Sequence, residues 1–491
     1  MIMAKNLMIQ GTMSNAGKSI ITAGILRVLK QDGYSVAPFK SQNMALNSYA
    51  TPEGLEIGRA QAVQAEAAGV PCHTDMNPLL LKPSSDHTSQ VVLNGRPIGN
   101  RSAYEYFRVE GREELRHEVC SAFDRLATRY NPIVMEGAGS ISEINLRDTD
   151  LVNLPMALHA GADVILVGDI DRGGVFASVY GSLMLLRPYE RERIKGILIN
   201  KFRGDIRLFE SGVKMLEELC GIPVVGVVPY YKDIYIEEED SLALATKSVQ
   251  TEQGKVNIAV VLLRHLSNFT DFNVLERDPR VHLFYTNNVD ELAKADIILL
   301  PGSKSTLADL HELRRNGVAQ AVIRAHREGA TVMGICGGYQ IMGQEVCDPD
   351  HVEGEIERLP GLGLLPVSTH MTGEKITRQI KFRLSAVARE NSHLSTDGMQ
   401  ANLEGYEIHM GTTVPVYDAP VSPLNLLEDG GADGYFLDRT CIGTYIHGIL
   451  DNPSFIDFLL EPFADKIAES FEITSQDSFA HIHCMGFHFC Q

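Results

Sequence analysis

Tryptophan is absent from the sequence, and nothing follows from that alone. Other shortages are informative. No segment approaches the roughly 20 apolar residues that a membrane-spanning helix needs. The eight cysteines are scattered over 491 residues without the close spacing of a disulfide framework, so reduced thiols are expected. Basic residues are in deficit: 44 Lys and Arg stand against 63 Asp and Glu, a net charge of −19. That balance excludes nucleic acid or an anionic membrane surface as the main partner and leaves anionic small molecules in need of local cationic sites. There is no short-period repeat and no low-complexity tract. The opening residues, "MIMAKNLMIQGT", hold a short apolar run ending in a turn, not the three parts of a secretion signal, so a cytoplasmic location is expected.

What is present is an ordinary globular composition, 44% hydrophobic and 22% charged, in a chain too long for one core. Apolar, β-branched runs recur between helix-like segments: "NLMIQGT", "NPIVMEGAG", "ADVILVGDID", "IKGILINKF" and "PVVGVVPY". Such alternation predicts a parallel sheet covered on both faces. The acidic and then polar stretch from Tyr231 to Lys255 breaks the series, and "VNIAVVLL", "ADIILLPGS", "GATVMGICGG" and "CIGTYIHGIL" begin another. The expected fold class is α/β, with two doubly wound domains. Their expected bounds are 1–232 and 256–460, with a linker at 233–255 and a terminal helix and tail at 461–491.

In "IQGTMSNAGKSIITAGILRVL", Gly11, Gly17, Lys18 and Ser19 lie between a strand and an amphipathic helix. Backbone N–H groups of such a loop cradle phosphate, while the lysine and the hydroxyl reach phosphate and Mg²⁺. Five residues separate the glycines here instead of the usual four. Glu136 of "VMEGAG" ends another apolar strand, where a carboxylate can hold Mg²⁺ against the phosphates. Asp169 and Asp171 end the next strand, as further ligands or as turn formers. Asn200 of "INKFRGD" is expected against the adenine of ATP. "APFKSQNMALNS" gathers Lys40, Gln42, Asn43 and Asn47 after a short strand, either as a site for a substrate rich in carboxylates or amides or as a solvated loop.

"VMGICGGYQIMG" reads as strand, tight turn and helix around Cys336. Taken alone, the cysteine is either a nucleophile at a helix N-terminus or a small buried residue. His447 of "GTYIHGIL" supplies a base, and the turn at Gly302 in "LLPGSKST", with Gly337, supplies backbone donors for an oxyanion. Three strand-end features of one sheet then favour the nucleophile.

These residues carry a resemblance. "GICGGYQIMG", "PGSKST" and "TYIHG" resemble class I glutamine amidotransferases, and "GTMSNAGKS" with "EGAG" resembles dethiobiotin synthetase-type P-loop ligases. Together with "PFKSQNMALNS", "DIDRGGVFAS", "INKFRGD" and "EGYEIHMG", the chain is similar to the corrin-amidating synthetases of cobalamin biosynthesis from residue 7 to about 460. The resemblance implies amidation of the b, d, e and g carboxylates of adenosylcobyrinic acid a,c-diamide, with ATP, Mg²⁺ and glutamine as ammonia donor. It implies Cys336 and His447 as a dyad, and Lys40, Gln42 and Asn43 toward the corrinoid. Ammonia is expected to pass between the domains without mixing with solvent. The rivals are the synthase acting earlier on the ring, and a P-loop partitioning ATPase with a degenerate second domain.

Ordinary class I enzymes carry a glutamate two residues after the histidine. Here that position is Ile449, and the acid nearest in sequence is Asp451. The roles of Glu404, Glu407 and His409 in "EGYEIHMG" stay open, either functional or a packed strand. His481, His483, Cys484, His488 and Cys490 crowd the C-terminus and offer a candidate soft-metal site. The oligomeric state is not written in the sequence.

Overall fold

The computed structural model describes residues 5–83, 88–102, 112–231, 251–392 and 402–467. The chain divides into two compact units, residues 1–239 and 240–491. Most of the expected linker and the whole His/Cys tail, His481 to Cys490, lie outside the described residues.

In the first unit the apolar runs become β1 (Leu7–Gly11), β2 (Ala37–Phe39), β3 (Ile133–Glu136), β4 (Asp163–Asp169), β5 (Ile194–Phe202) and β6 (Val224–Pro229). They pair in parallel in the order β6-β5-β4-β1-β3-β2. Met8, Ile9, Val134, Leu166 and Ile197 are fully buried, as strands covered on both faces require. Because β1 lies between β3 and β4, the sheet order reverses beside it, and the crevice at the carboxyl end of β1 is where such sheets bind ligands. Helix α1 (Lys18–Gln31) starts there and buries Ile21, Thr22, Ala23 and Leu26 against the sheet unit's core. A separate sheet of Gln42–Met44, Leu79–Pro83, Thr88–Leu93 and Arg96–Ser102 was not evident from the sequence pattern.

The second unit contains β7 (Val256–Val261), β8 (Val281–Thr286), β9 (Ile297–Leu300), β10 (Thr331–Ile335), β11 (Tyr435–Asp438) and β12 (Cys441–Thr444). Their order is β8-β7-β9-β10-β12-β11, parallel except for the β11–β12 edge pair. Beside this sheet runs a mixed one built on the antiparallel strands Val367–Leu384 and Leu403–Pro415, whose register shifts between His370 and Lys375. Both units are thus α/β with a predominantly parallel sheet. No described helix is long and apolar enough to cross a membrane. The described cysteines are all unpaired in disulfide terms.

Candidate functional site

The phosphate loop leaves β1 at Gly11 and enters α1 through Gly17, whose φ of 94° lies in the left-handed region. A Cβ at Gly17 would stand 2.1 Å from Asn200 Nδ2, so this position combines a backbone that favours glycine with no room for a side chain. Asn200, at the end of β5, donates from Nδ2 to the Ala16 carbonyl at 2.8 Å and so braces the loop. Lys18 Nζ donates to the carbonyls of Gly139 at 2.8 Å and Met13 at 3.2 Å. Those contacts hold the ammonium over the loop.

Glu136 is the hub of this site. Ser19 Oγ donates to its Oε1 at 2.8 Å, Lys40 Nζ to the same oxygen at 2.9 Å, and Gln64 Nε2 to Oε2 at 2.5 Å. Burial works against its charge, but the Lys40 ammonium and the bonds from Lys40, Gln64 and Ser19 outweigh that and hold the carboxyl below its ordinary range. The adjoining oxygens of Ser19 and Glu136 are hard donors at a phosphate loop, which fits Mg²⁺. Gln64 is the member that the sequence reading missed. It sits on the helix Arg59–Ala68, with no motif to announce it.

Asp169 and Asp171 are taken up otherwise. Lys201 Nζ lies 2.8 Å from Asp169 Oδ2 and also donates to the Asn15 carbonyl at 2.7 Å. Asp171 pairs with Arg203 at 2.5 Å. Of the polar cluster after β2, Gln42 lines a cleft of about 160 Å³ shared with Arg112 and Gly139. Asn43 is buried and donates to Gln61 at 3.0 Å, and Asn47 is buried as well. The solvated-loop alternative therefore fails for Lys40, Asn43 and Asn47.

In the second unit, parallel pairing of β10 with β12 puts Ile335 beside Thr444, and the Cys336 N–H donates to the Thr444 carbonyl at 2.8 Å. Cys336 itself adopts φ 54°, ψ −113°, strained for a residue with a side chain, just before the helix Gly337–Met342. That helix approaches β9 so closely that a Cβ on Gly338 would fall 1.9 Å from the Leu300 carbonyl oxygen. The thiol is buried, with Sγ 3.6 Å from the Ile408 carbonyl oxygen. Gly302 lies on a two-residue strand paired with Leu266–Ser267, and a Cβ on Gly337 would be 2.8 Å from the Ser303 nitrogen, so the expected backbone donors adjoin.

His447 is 1% exposed and within hydrogen-bonding reach of the Cys336 thiol. Its Nδ1 lies 2.7 Å from Asp271 Oδ2. Burial alone would depress its pKa, but the Asp271 carboxylate and Cys336 more than reverse this and push it up to about 10. Asp451, the acid suggested by proximity, is not the partner. Gly448 turns the chain at φ 69°, which buries Ile449 in the core and puts Asp451 in a short turn where its N–H donates to the Gly448 carbonyl.

The segment "EGYEIHMG" runs across the thiol as part of Leu403–Pro415, with Tyr406 bridged to His447. Glu407 is buried and ion-paired with Arg378, whereas the Glu404 side chain is exposed. His409 stacks on Tyr445 with centroids 3.7 Å apart, and burial lowers its pKa to about 4, so it is neutral. The strand is packed around His409, yet its buried Nδ1 has no hydrogen-bond partner among the described residues, so the alternative of a satisfied core histidine is not met.

Residues 7–243 match the family model described as the CobQ/CobB/MinD/ParA nucleotide binding domain, and residues 257–455 match the CobB/CobQ-like glutamine amidotransferase domain. The cobyric acid synthase of Bacteroides fragilis is 82% identical over 464 residues, 94% of this chain and 91% of its own. That of Phocaeicola vulgatus is 74% identical over 468 residues, 95% of this chain and 92% of its own. That of Parabacteroides distasonis is 59% identical over 458 residues, 93% of this chain and 90% of its own.

Proposed function

The chain belongs to the cobyric acid synthase family, and we propose that its two units divide one reaction, with glutamine hydrolysed in the second and a carboxylate activated in the first. The enzyme is a glutamine-dependent carbon–nitrogen ligase of cobalamin biosynthesis. It amidates the b, d, e and g carboxylates of adenosylcobyrinic acid a,c-diamide to give adenosylcobyric acid. The relatives' shared name favours this reading over the earlier-acting synthase and over a partitioning ATPase.

In the second unit the Cys336 thiolate attacks the carboxamide carbon of glutamine, and N–H groups around Gly302 and Gly337 receive the oxyanion. His447 passes a proton to the departing ammonia, and water then cleaves the thioester to release glutamate.

A carboxylate resists attack by ammonia because it is already anionic. In the first unit a corrin carboxylate oxygen attacks the γ-phosphorus of ATP, ADP departs, and the resulting acyl phosphate carries a leaving group. Ammonia attacks the acyl carbon, and phosphate is expelled. Such a transfer depends on position and charge neutralisation. The N–H groups from Gly11 to Ser19 cradle the phosphates, and Lys18 exchanges its loop carbonyls for phosphate oxygens. Lys40 neutralises the attacking carboxylate or the transferring group. Ser19 and Glu136 would hold Mg²⁺, whose charge would be spread over the phosphate oxygens. Asn200 braces the loop and is the candidate contact for adenine. Gln42 and Asn43 are the candidate contacts to a side arm of the corrinoid.

The observation that carries this reading is the strained Cys336 at a helix N-terminus with the buried His447 against it. The test is amidation with ammonium salts in place of glutamine. C336A is expected to keep the ammonia-dependent rate and lose the glutamine-dependent one, whereas K18A loses both. C336A losing both rates would count against the division.

A further inference from the structure

The His447 ring is gripped from several sides. Asp271 Oδ2 lies 2.7 Å from Nδ1, and the second carboxylate oxygen accepts the Gly448 N–H at 3.0 Å. One carboxylate thereby fixes both the ring and the backbone that carries it. Tyr406 stacks on the ring with centroids 5.4 Å apart and planes 23° apart. Its backbone also exchanges hydrogen bonds of 3.0 and 2.9 Å with that of His447. Asn268, at φ 51°, donates to the Tyr406 hydroxyl at 3.4 Å. Along the ring's edge, a Cβ on Gly302 would come within 3.3 Å of Cε1. With Nδ1 committed, Nε2 is the nitrogen that faces the thiol.

We propose that Asp271 is the positioning residue of the glutaminase, supplying from the loop after β7 the carboxylate that class I amidotransferases place two residues beyond the histidine. This rests on the reading that Cys336 and His447 hydrolyse glutamine. A general base must present one chosen nitrogen, and a carboxylate on Nδ1 selects that tautomer and stabilises the imidazolium formed during the reaction. Ile449 has no group for the task. Asp271 is suited to it because its loop is pinned: Phe269 and Phe272 on either side are buried in the core, and Asp271 itself is 4% exposed. The loops bearing Asp271, Cys336 and His447 all leave carboxyl ends of parallel strands, β7, β10 and β12, so one rim collects them. Their chain order differs from that of the glutamate-containing enzymes, yet the roles depend on geometry alone. Among the described residues, the titratable groups facing the ring include Asp271, Cys336, Tyr406 and His409, with Asp451 beside the Gly448 turn.

The test is D271N, which keeps the shape but permits the wrong tautomer. Its glutamine-dependent kcat is expected to fall by about 10²- to 10⁴-fold, with the KM for glutamine little changed and the ammonia-dependent amidation intact. A second reading is the pH profile for alkylation of Cys336 by iodoacetamide, which should change in D271N because the carboxylate that raises the His447 pKa is gone. Glutamine turnover within about threefold of the parent, with an unshifted alkylation profile, would overturn the proposal. So would loss of the ammonia-dependent rate, which would mark a merely structural role. C336A separates the two levels. If it keeps glutaminase activity, the underlying reading fails. If it loses that activity while D271N does not, only Asp271's role fails.

Discussion

The Lys40 ammonium lies 2.9 Å from Glu136 Oε1, with side-chain exposures of 4% and 1%. A buried ion pair adds little net stability, but removing one partner leaves an uncompensated charge. K40M is therefore expected to destabilise the first unit by about 3–5 kcal/mol and to reduce ATP-dependent amidation on the order of 10²- to 10³-fold. E136Q leaves one acceptor oxygen for Ser19 and Lys40 but no carboxylate for the buried Lys40 ammonium, and should cost comparable stability with a similar loss of rate. Calorimetry and ADP release distinguish the two effects. Equal stability of K40M and the parent would contradict this account of the pair.

Gly17 is the narrowest point of the phosphate loop. An alanine there must hold φ 94° and place Cβ 2.1 Å from Asn200 Nδ2. Backbone strain of about 1–3 kcal/mol corresponds to roughly a tenfold to hundredfold weaker ATP Kd in G17A. Equilibrium binding of a fluorescent ATP analogue checks it, and an unchanged Kd would show that the loop relaxes freely.

Asp433 accepts hydrogen bonds from Asn425, Thr444 and the Tyr445 N–H, yet burial dominates and raises its carboxyl from 3.8 to about 6. The folded state therefore binds this proton more tightly than the unfolded chain. Its stabilising contribution is fully present below pH 3.8 and is lost as pH rises through about 6. The window is worth on the order of 3 kcal/mol. D433N, although less stable at low pH, should flatten that part of the second unit's stability curve. An unaltered slope between those pH values in D433N would rule out this residue as its source.

How much of this was legible beforehand depended on whether a feature was local. The phosphate loop, the cysteine turn and the sheet strands announce themselves because a strand, its turn glycines and the following helix are contiguous in sequence. Asp271 and Gln64 do not. "SNFTDFN" has no strong pattern, and Asp271 reaches His447 across 176 positions only because parallel pairing gathers strand ends on one rim. Gln64 joins Glu136 from a helix whose sequence reads as an ordinary alanine-rich surface. The burial of Asn43, and its hydrogen bond to Gln61, could not be read from a polar cluster in the sequence either. The mixed sheet over the thiol was missed because Val367–Leu384 and Leu403–Pro415 bury few of their residues in strict alternation.

The most direct test of the central claim is the mass of the corrinoid after incubation of the protein with adenosylcobyrinic acid a,c-diamide, glutamine, ATP and Mg²⁺, read together with ADP and glutamate release. The account predicts that the b, d, e and g carboxylates each become an amide, with one ATP and one glutamine consumed for each. An unchanged corrinoid mass while the undiamidated ring is turned over, or amide formation without ADP release, would contradict it.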